Sequence, residues 1–266
     1  MRSEFEKIFY NSKTYTGLIG LGFLPFLLML ITAAGFYADE VLPDTPDTDG
    51  WQLIVESMNF ALHIFAPLII AMMASDTISS EATNGTLTLT LTKPIRRDVY
   101  LVKKIVSQAV LTFIFFLVFA MIAFLAGFLL GYETFYGANK YGPTSTSVII
   151  PRDEIWWRMI LFFSLAAFGS FIVALIGISI STFTNSGTSV TAITFIFYMI
   201  TEILGGALSS DLIKYLLSPA IKRMVFSLLF GSVQWDAILE SFVILSIYAT
   251  SFVLVALVQF NRKDID

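Results

Sequence analysis

Six long apolar runs divide this sequence, and they limit the possible folds more than any other feature. Each run approaches the roughly 20 residues that a helix needs to cross a bilayer core of about 30 Å. Lipid offers no partner to backbone N–H and C=O groups, and the runs are too long and too evenly apolar for barrel strands. The sequence therefore predicts an all-α, polytopic membrane protein with six transmembrane helices. The predicted spans are Gly17–Tyr37, Met58–Ser75, Ile105–Gly131, Trp156–Thr182, Thr188–Leu208 and Ala237–Phe260.

The composition agrees with a membrane protein. Apolar residues make up 56% of the chain and charged residues only 14%. A soluble domain could not bury that share of apolar residues. Cysteine is absent, which excludes disulfides, iron–sulfur clusters and thiolate catalysis. The first run is longer than the apolar core of a signal peptide and no clear cleavage site follows it. We expect it to be retained, and we expect residues 1–266 to form a single transmembrane domain.

The positions of the basic residues predict the orientation. With the N-terminus inside, the inner segments carry ten of the 16 Lys and Arg residues, and the first outer loop carries acidic residues but no basic one. Inner loops of membrane proteins are enriched in Lys and Arg. The pattern predicts a multi-pass protein of the cell membrane with both termini in the cytoplasm.

The segment 76–104 then becomes the only sizeable cytoplasmic loop. Thr and Leu alternate over Thr86–Thr92, as in a strand, but Leu87 and Leu91 are also neighbours on a helix. Asn84-Gly85 is typical of a turn, and Pro94 stops or restarts a helix. A short helix between the two fits as well as a strand. The basic residues of the loop also suit a membrane-surface anchor on anionic lipid.

This loop resembles the inner loop of ABC type-2 transporter permeases, which are the membrane subunits of ABC exporters. The matching positions are Glu81, Gly85, Thr86, Leu87, Leu91, Thr92, Pro94, Arg97 and Lys104. The whole chain also has the layout of that family, with six spans, both ends inside and a similar length. Two flanking segments fit the same layout, residues 1–15 and residues 209–235.

The resemblance implies a coupling helix that sits in a groove of a cytoplasmic ABC ATPase. The residues implied for ATPase coupling are Glu81, Asn84, Gly85, Thr86, Leu87, Leu89, Leu91, Pro94, Arg96 and Arg97. The chain contains no G-x-x-x-x-G-K-[ST] motif, so ATP and Mg would be bound by separate partner subunits and no cofactor by this chain. A second permease copy, forming a homodimer or a heterodimer, is also implied.

The segment 1–15 places Phe5, Ile8 and Phe9 on one helical face, which predicts a helix lying in the inner interface. The alternative is a disordered tail. The segment 209–235 is apolar but interrupted by charges. We expect Ser218 to cap a short helix with Pro219 at its first position, and Gly231 to suit the far end. The family layout implies a re-entrant helical pair at the outer end of the path, and the alternative is an amphipathic outer loop.

Polar residues are scarce within the spans. Glu202 lies in the outer half of the fifth, and an intramembrane carboxylate is a candidate functional residue. The alternative is a structural role, as a partner of Lys214 or as a helix-end group near water. Asn59 and Gln108 are further candidates for a membrane path. His63 is the sole histidine, so we expect packing or a hydrogen bond there rather than a metal site.

The resemblance favours the permease subunit of an ABC transporter, an exporter of a hydrophobic or amphipathic cargo, in contact with membrane lipids and without a nucleic-acid partner. An alternative within the family is mechanical transmission of ATP-driven motion to an extracytoplasmic partner. An ion-coupled secondary carrier would need repeated halves or several buried acids. A membrane enzyme is disfavoured because no catalytic constellation is apparent.

Overall fold

Helices make up almost all of the chain that the computed structural model describes, which comprises residues 50–75, 79, 97–132, 136–137, 148–184, 186–207 and 211–262, with residues 19, 20, 23 and 27. The helices are α1 (Gly50–Phe60), α2 (Ala66–Ser75), α3 (Arg97–Leu130), α4 (Arg152–Ser181), α5 (Gly187–Ala207), α6 (Leu217–Phe226) and α7 (Trp235–Arg262). A π-helical turn, Ala61–Phe65, joins α1 to α2, and 3₁₀ turns occupy Asp211–Tyr215 and Ser227–Leu229. Two-residue antiparallel strands, β1 (Tyr136–Gly137) and β2 (Val148–Ile149), pair between α3 and α4.

Five helices of the described residues are long and apolar enough to cross a membrane. They are Gly50–Ser75, Arg97–Leu130, Arg152–Ser181, Gly187–Ala207 and Trp235–Arg262. The prediction of a helical, multi-pass membrane protein is thereby confirmed. Apart from the four isolated positions named above, the predicted span Gly17–Tyr37 lies outside the described residues, as does the predicted interfacial helix 1–15.

Two predicted boundaries were wrong in the same direction. The second span begins at Gly50 rather than Met58, so Glu56 lies in α1 and not in a loop. The turns before Met58 bury Leu53 and Ile54, and the Gln52 amide donates a 3.1 Å hydrogen bond to Glu56. The third span begins at Arg97 rather than Ile105. Polar residues at both helix starts made the predicted spans too short. A long helix continues past its apolar stretch into the interface.

The helix α4 lies at the centre of the fold. It packs against α2, α3, α5, α6 and α7. Small residues allow this close approach: a Cβ on Gly169 would lie 2.7 Å from Ile221 of α6, and one on Gly177 would lie 2.8 Å from the Cβ of Ala74 of α2. Small residues at four-residue intervals are typical of helix contacts in membranes. Ala166, Ser170 and Ala174, which recur at this interval on α4, are all buried.

The segment between α5 and α7 folds back onto the spans. Its helix α6 packs against α4, α5 and α7. The prediction that Ser218 caps this helix was wrong, because the N-cap position is Leu216 and Ser218 is a buried residue of the first turn. Pro219 consequently stands at the third helical position instead of the first. The Ser218 hydroxyl is engaged by another helix, as described below, and is therefore not available to the backbone.

Two side-chain anchors hold this segment on the spans. The first is Arg158 of α4, which is 3% exposed. Its guanidinium donates to the backbone carbonyls of Leu228, Phe230 and Gly231 at 3.1, 2.7 and 3.2 Å. Carbonyls that end a helical turn lack partners within the helix. Arg158 therefore fixes the end of the second 3₁₀ turn to the centre of the bundle.

The second anchor is Glu240 of α7. Its two carboxylate oxygens lie 2.7 Å from Lys214 and 2.9 Å from Arg223. The hydrogen bond to Glu240 raises the pKa of the Lys214 ammonium above its ordinary value, so this side chain keeps its charge across the physiological range. One carboxylate thus joins the first 3₁₀ turn and α6 to the last span.

We predict that Gly177→Val lowers the free energy of unfolding by about 1–3 kcal/mol, because the added side chain would force α4 away from α2. The measurement is unfolding of the purified protein in mixed micelles with increasing sodium dodecyl sulfate. Gly206→Val is the matched control, since a Cβ there meets nothing within 4 Å. Equal effects of the two substitutions would contradict the close packing of α4 on α2.

Candidate functional site

The second span contains a local change in helix type. Over Ala61–Phe65 the helix widens to a π turn, and the backbone N–H of Ala66 bonds to the carbonyl of Ala61. Pro67 explains the change, because it has no N–H to give to the His63 carbonyl and its ring would clash with that carbonyl in a regular helix. Single π turns inside α-helices occur frequently at functional sites.

Five polar side chains from three elements meet beside this π turn. We call them the polar cluster: His63 of the π turn, Tyr198 and Glu202 of α5, and Ser218 and Lys222 of α6. The Lys222 ammonium donates to Oε1 of Glu202 at 2.5 Å, and Nδ1 of His63 lies 2.8 Å from the same oxygen. Lys222 Nζ and His63 Nδ1 are 2.7 Å apart. A lysine, a histidine and a carboxylate therefore form one compact triangle.

The rest of the cluster connects this triangle to the backbone of the π turn. The Ser218 hydroxyl donates to Oε2 of Glu202, and its oxygen lies 3.0 Å from the phenol oxygen of Tyr198. Tyr198 is buried and donates a 2.6 Å hydrogen bond to the carbonyl of Leu62. A carbonyl in a π turn keeps acceptor capacity that a regular helix would use. The phenol fills it, so the π turn and α5 are fixed to each other.

Helix periodicity brings these side chains together. Tyr198 and Glu202 are four residues apart on α5, and Ser218 and Lys222 are four residues apart on α6. Residues at this spacing lie on the same face of a helix. Each helix thus presents one hydroxyl and one charged group to the other, with the hydroxyls toward the interior.

The cluster lies near the middle of the second span but nearer the end of α5, where Glu202 is 15 residues from Gly187 and five from Ala207. His63 is 12 residues from Trp51 at one end of its span and 12 from Ser75 at the other, roughly 18 Å each way at 1.5 Å per residue. Tryptophans mark one end of the spans. The four tryptophans of the chain lie at one end, where Trp51 contacts Trp156 and Trp157 stacks on Trp235. Tryptophans of this kind form belts at membrane–water interfaces.

The hydrogen bonds of His63 Nδ1 depend on the tautomer of the ring. An ammonium has donors only, so the 2.7 Å contact between Lys222 Nζ and His63 Nδ1 is a hydrogen bond when Nδ1 is unprotonated and the ring proton is on Nε2. The 2.8 Å contact between Nδ1 and Oε1 of Glu202 is a hydrogen bond when Nδ1 carries the proton.

The three candidate path residues have different surroundings. Glu202 is the centre of the polar cluster, and its side chain is 12% exposed. Asn59 is exposed in α1, four residues before His63, whereas Gln108 is buried in α3. No hydrogen bond within the described part of the chain links Asn59 or the Gln108 side chain to the cluster. The structure therefore brings Glu202 together with residues other than the two that were predicted with it.

The residues implied for ATPase coupling lie almost wholly outside the described residues. This holds for Glu81, Asn84, Gly85, Thr86, Leu87, Leu89, Leu91, Pro94 and Arg96. Arg97 is described: it begins α3, and its Nη1 lies 3.4 Å from the backbone carbonyl of Asn261 near the end of α7. The neighbouring Asp98 accepts a 2.7 Å hydrogen bond from the Asn261 amide. The first turn of α3 is thus attached to the last turn of α7.

Glu202 was a candidate residue from the sequence, but its partners in the structure were not predicted. Lys214, the partner considered for it, bonds to Glu240 instead, and Lys222 takes its place. The hydrogen bond expected for His63 is present. Two signals were available: the paired four-residue spacings on α5 and α6, and Pro67 four residues after His63. The pairing of α5 with α6 is a tertiary contact that neither spacing specifies.

The cluster has no features of a metal centre. Among the residues that the structure describes, no group of three or more His, Cys, Asp or Glu side chains could hold a metal ion. The chemistry available in the cluster is hydrogen bonding and charge pairing at mid-depth in a helical bundle.

We predict strong coupling between Glu202 and Lys222 in a double-mutant cycle. Glu202→Gln and Lys222→Met should each lower the free energy of unfolding by about 3 kcal/mol, because each leaves a charge unpaired in the bundle. The double variant should lose clearly less than the sum of the two. The same unfolding measurement applied to Lys214→Met and Glu240→Gln serves as control, and this exposed pair should show much weaker coupling. Additive effects at Glu202 and Lys222 would show that the ion pair does not form.

The relatives of the chain say little about this cluster. A search among curated proteins finds no match. A family model does match, over residues 18–265, and so covers every described helix from α1 to α7. By this match the chain belongs to the family described as "Protein of unknown function (DUF2705)".

Proposed function

We propose that this protein is the transmembrane permease subunit of an ABC exporter of the type-2 class. Separate cytoplasmic ATPase subunits would bind ATP and Mg, and two permease copies, identical or different, would enclose the path. The cargo would be a hydrophobic or amphipathic molecule. Both termini would face the cytoplasm, and the membrane would be the cell membrane.

One observation supports this proposal most strongly. The segment after α5 does not continue out of the bundle: α6 folds back and packs against α4, α5 and α7. At 10 residues, α6 is about 15 Å long, too short to span a bilayer. A short helical pair before the last span is what the resemblance implies for the outer end of the path. With Gly17–Tyr37 as a sixth span, the layout would match the family throughout.

The inner end offers a connection from the coupling loop to the spans. Helix α3 has 34 residues, which gives a length of roughly 51 Å, well beyond a bilayer core of about 30 Å. It begins at Arg97, the last residue implied for ATPase coupling. A rigid helix of this length would carry a displacement of the loop directly into the membrane. The contacts of Arg97 and Asp98 with Asn261 would pass the same displacement to α7.

The outer end would act as the gate. In the proposed cycle, ATP closes the ATPase subunits, the coupling loop moves α3, and the spans separate at the outer side. The segment 211–229 has to move with one group of spans and leave another. Arg158 and Glu240 attach it to α4 and α7, while the polar cluster attaches it to α5 and the π turn. Opening would therefore occur at the cluster or at the two anchors.

An ion-coupled carrier is less well supported by the same geometry. Such a carrier needs a buried carboxylate that is free to take up and release an ion. Glu202 instead accepts hydrogen bonds from both Lys222 and Ser218. Mechanical transmission to an extracytoplasmic partner would use the same coupling and the same gate segment, so it differs from the export proposal only in the absence of a cargo.

The coupling proposal predicts that Gly85→Arg and Leu87→Glu each abolish co-purification of the ATPase subunit and lower the ATP hydrolysis of the complex at least about tenfold. A bulky or charged side chain would prevent a short helix from entering an apolar groove. The assay is affinity purification of the permease from cells that co-express the ATPase subunit of the proposed complex, followed by measurement of phosphate release.

Leu212→Glu is the matched control, because it introduces the same charge at an exposed position of the gate segment. It should leave co-purification unchanged. If the two loop variants retain both the ATPase subunit and its activity, the coupling assignment is wrong.

A further inference from the structure

We infer that the polar cluster is a binding site for an amphipathic anion, whose phosphate or carboxylate head contacts His63 and Lys222 and whose apolar tail lies along the adjoining helix faces. This inference rests on the proposed function in one respect: it names the class of cargo. The binding itself depends only on the geometry of this chain.

The cluster leaves part of its hydrogen-bonding capacity unused. Lys222 has three N–H donors, of which one is given to Glu202 and one to His63. In the tautomer that accepts from Lys222, His63 carries its proton on Nε2, and no hydrogen bond of this nitrogen is found within the described residues. The unused groups are therefore an ammonium N–H and an imidazole N–H, and both need an acceptor.

The acceptor that the cluster already contains is less accessible than its donors. The Glu202 carboxylate is 12% exposed and is covered by its donors, Lys222 and Ser218. The His63 side chain is 49% exposed and Lys222 is 21% exposed. A ligand that approaches the cluster meets the imidazole first, then the ammonium. The accessible side of the triangle presents donors, which selects an anion or another strong acceptor over a cation.

Exposed apolar side chains adjoin the accessible part of the cluster. Phe60 and Ile64 lie three residues before and one residue after His63, and they are 47% and 39% exposed. Polar N–H groups within a span, beside apolar side chains, are costly against lipid tails that offer no acceptor. An amphipathic molecule satisfies both parts of this surface: its head accepts the two donors and its tail covers Phe60 and Ile64.

The sequence itself provides a direct probe of this site. His63 is the sole histidine among 266 residues, so protein labelled with ¹⁵N-histidine gives the signals of one imidazole ring. These signals distinguish a protonated from an unprotonated ring nitrogen. The experiment uses the full chain purified in a maltoside detergent, which carries no phosphate. Three probes are added in turn: octyl phosphate, inorganic phosphate and octyltrimethylammonium.

The expected result has two parts. Before addition, the spectrum shows a neutral ring with its proton on Nε2. Octyl phosphate then shifts the Nε2 signal in a saturable manner, whereas inorganic phosphate and octyltrimethylammonium at the same concentration do not. The first comparison separates an amphipathic ligand from free phosphate, and the second separates an anion from any molecule with the same tail.

The variant that tests the ammonium is the charge-balanced pair Glu202→Gln with Lys222→Met, which leaves no unpaired charge. Its affinity for octyl phosphate should be at least tenfold weaker, which corresponds to about 1.4 kcal/mol. Lys214→Met is the matched control, since Lys214 is a cation of the same segment that bonds to Glu240 outside the cluster. Its affinity should equal that of the unaltered protein.

Three outcomes would overturn the inference: a proton on Nδ1 in the free protein, no saturable shift with octyl phosphate, or an equal shift with octyltrimethylammonium. If the charge-balanced variant keeps the affinity of the unaltered protein for octyl phosphate, Lys222 has no role in binding the anion. None of these measurements includes an ATPase. Loss of ATPase coupling in the loop variants and loss of anion binding here are therefore separate results, and either proposal can fail alone.

Discussion

The ion pair between Glu202 and Lys222 is the interaction on which the packing of α6 against α5 and the second span depends. Separating two opposite charges inside an apolar bundle is far more costly than keeping them paired. The pair therefore fixes α6 against α5 and, through His63, against the π turn of the second span. Ser218 and Tyr198 add hydroxyl contacts on the buried side. The second span and the consecutive helices α5 and α6 are thus held together at one point.

The same physical constraint explains the other polar features of the fold. Within a bilayer, each backbone or side-chain polar group has to find its partner inside the protein. Pro67 disturbs the backbone hydrogen bonds of the second span, and Tyr198 supplies a partner to the Leu62 carbonyl. The second 3₁₀ turn ends with unpaired carbonyls, and Arg158 supplies donors to three of them. The same constraint underlies the proposed anion site, where the donors of His63 and Lys222 would find their acceptor in a ligand.

Sequence patterns predicted the spans better than their ends. The apolar runs located α3, α4, α5 and α7 within a few residues of their C-terminal limits, because exclusion from water acts on every residue of a span. The starts at Gly50 and Arg97 were placed several residues too late. A helix continues into the interface as long as its backbone bonds are satisfied, and charged residues such as Glu56 and Lys104 do not end it. The cap proposed for Ser218 failed for a related reason, since a buried carboxylate is a stronger partner for a hydroxyl than a backbone N–H.

The sequence alone determined that this chain is a helical membrane protein and that Glu202 is an exceptional residue, because hydrophobicity and charge are properties of the residues themselves. It also specified the four-residue spacings that put Tyr198 with Glu202 and Ser218 with Lys222 on common helix faces. Only the tertiary structure decided that those two faces meet each other and the π turn at His63. The sequence does not distinguish Lys214 from Lys222 as the partner of Glu202. The tertiary structure does, because α6 packs against α5 with Lys222 at Glu202, while Lys214 bonds to Glu240 of α7.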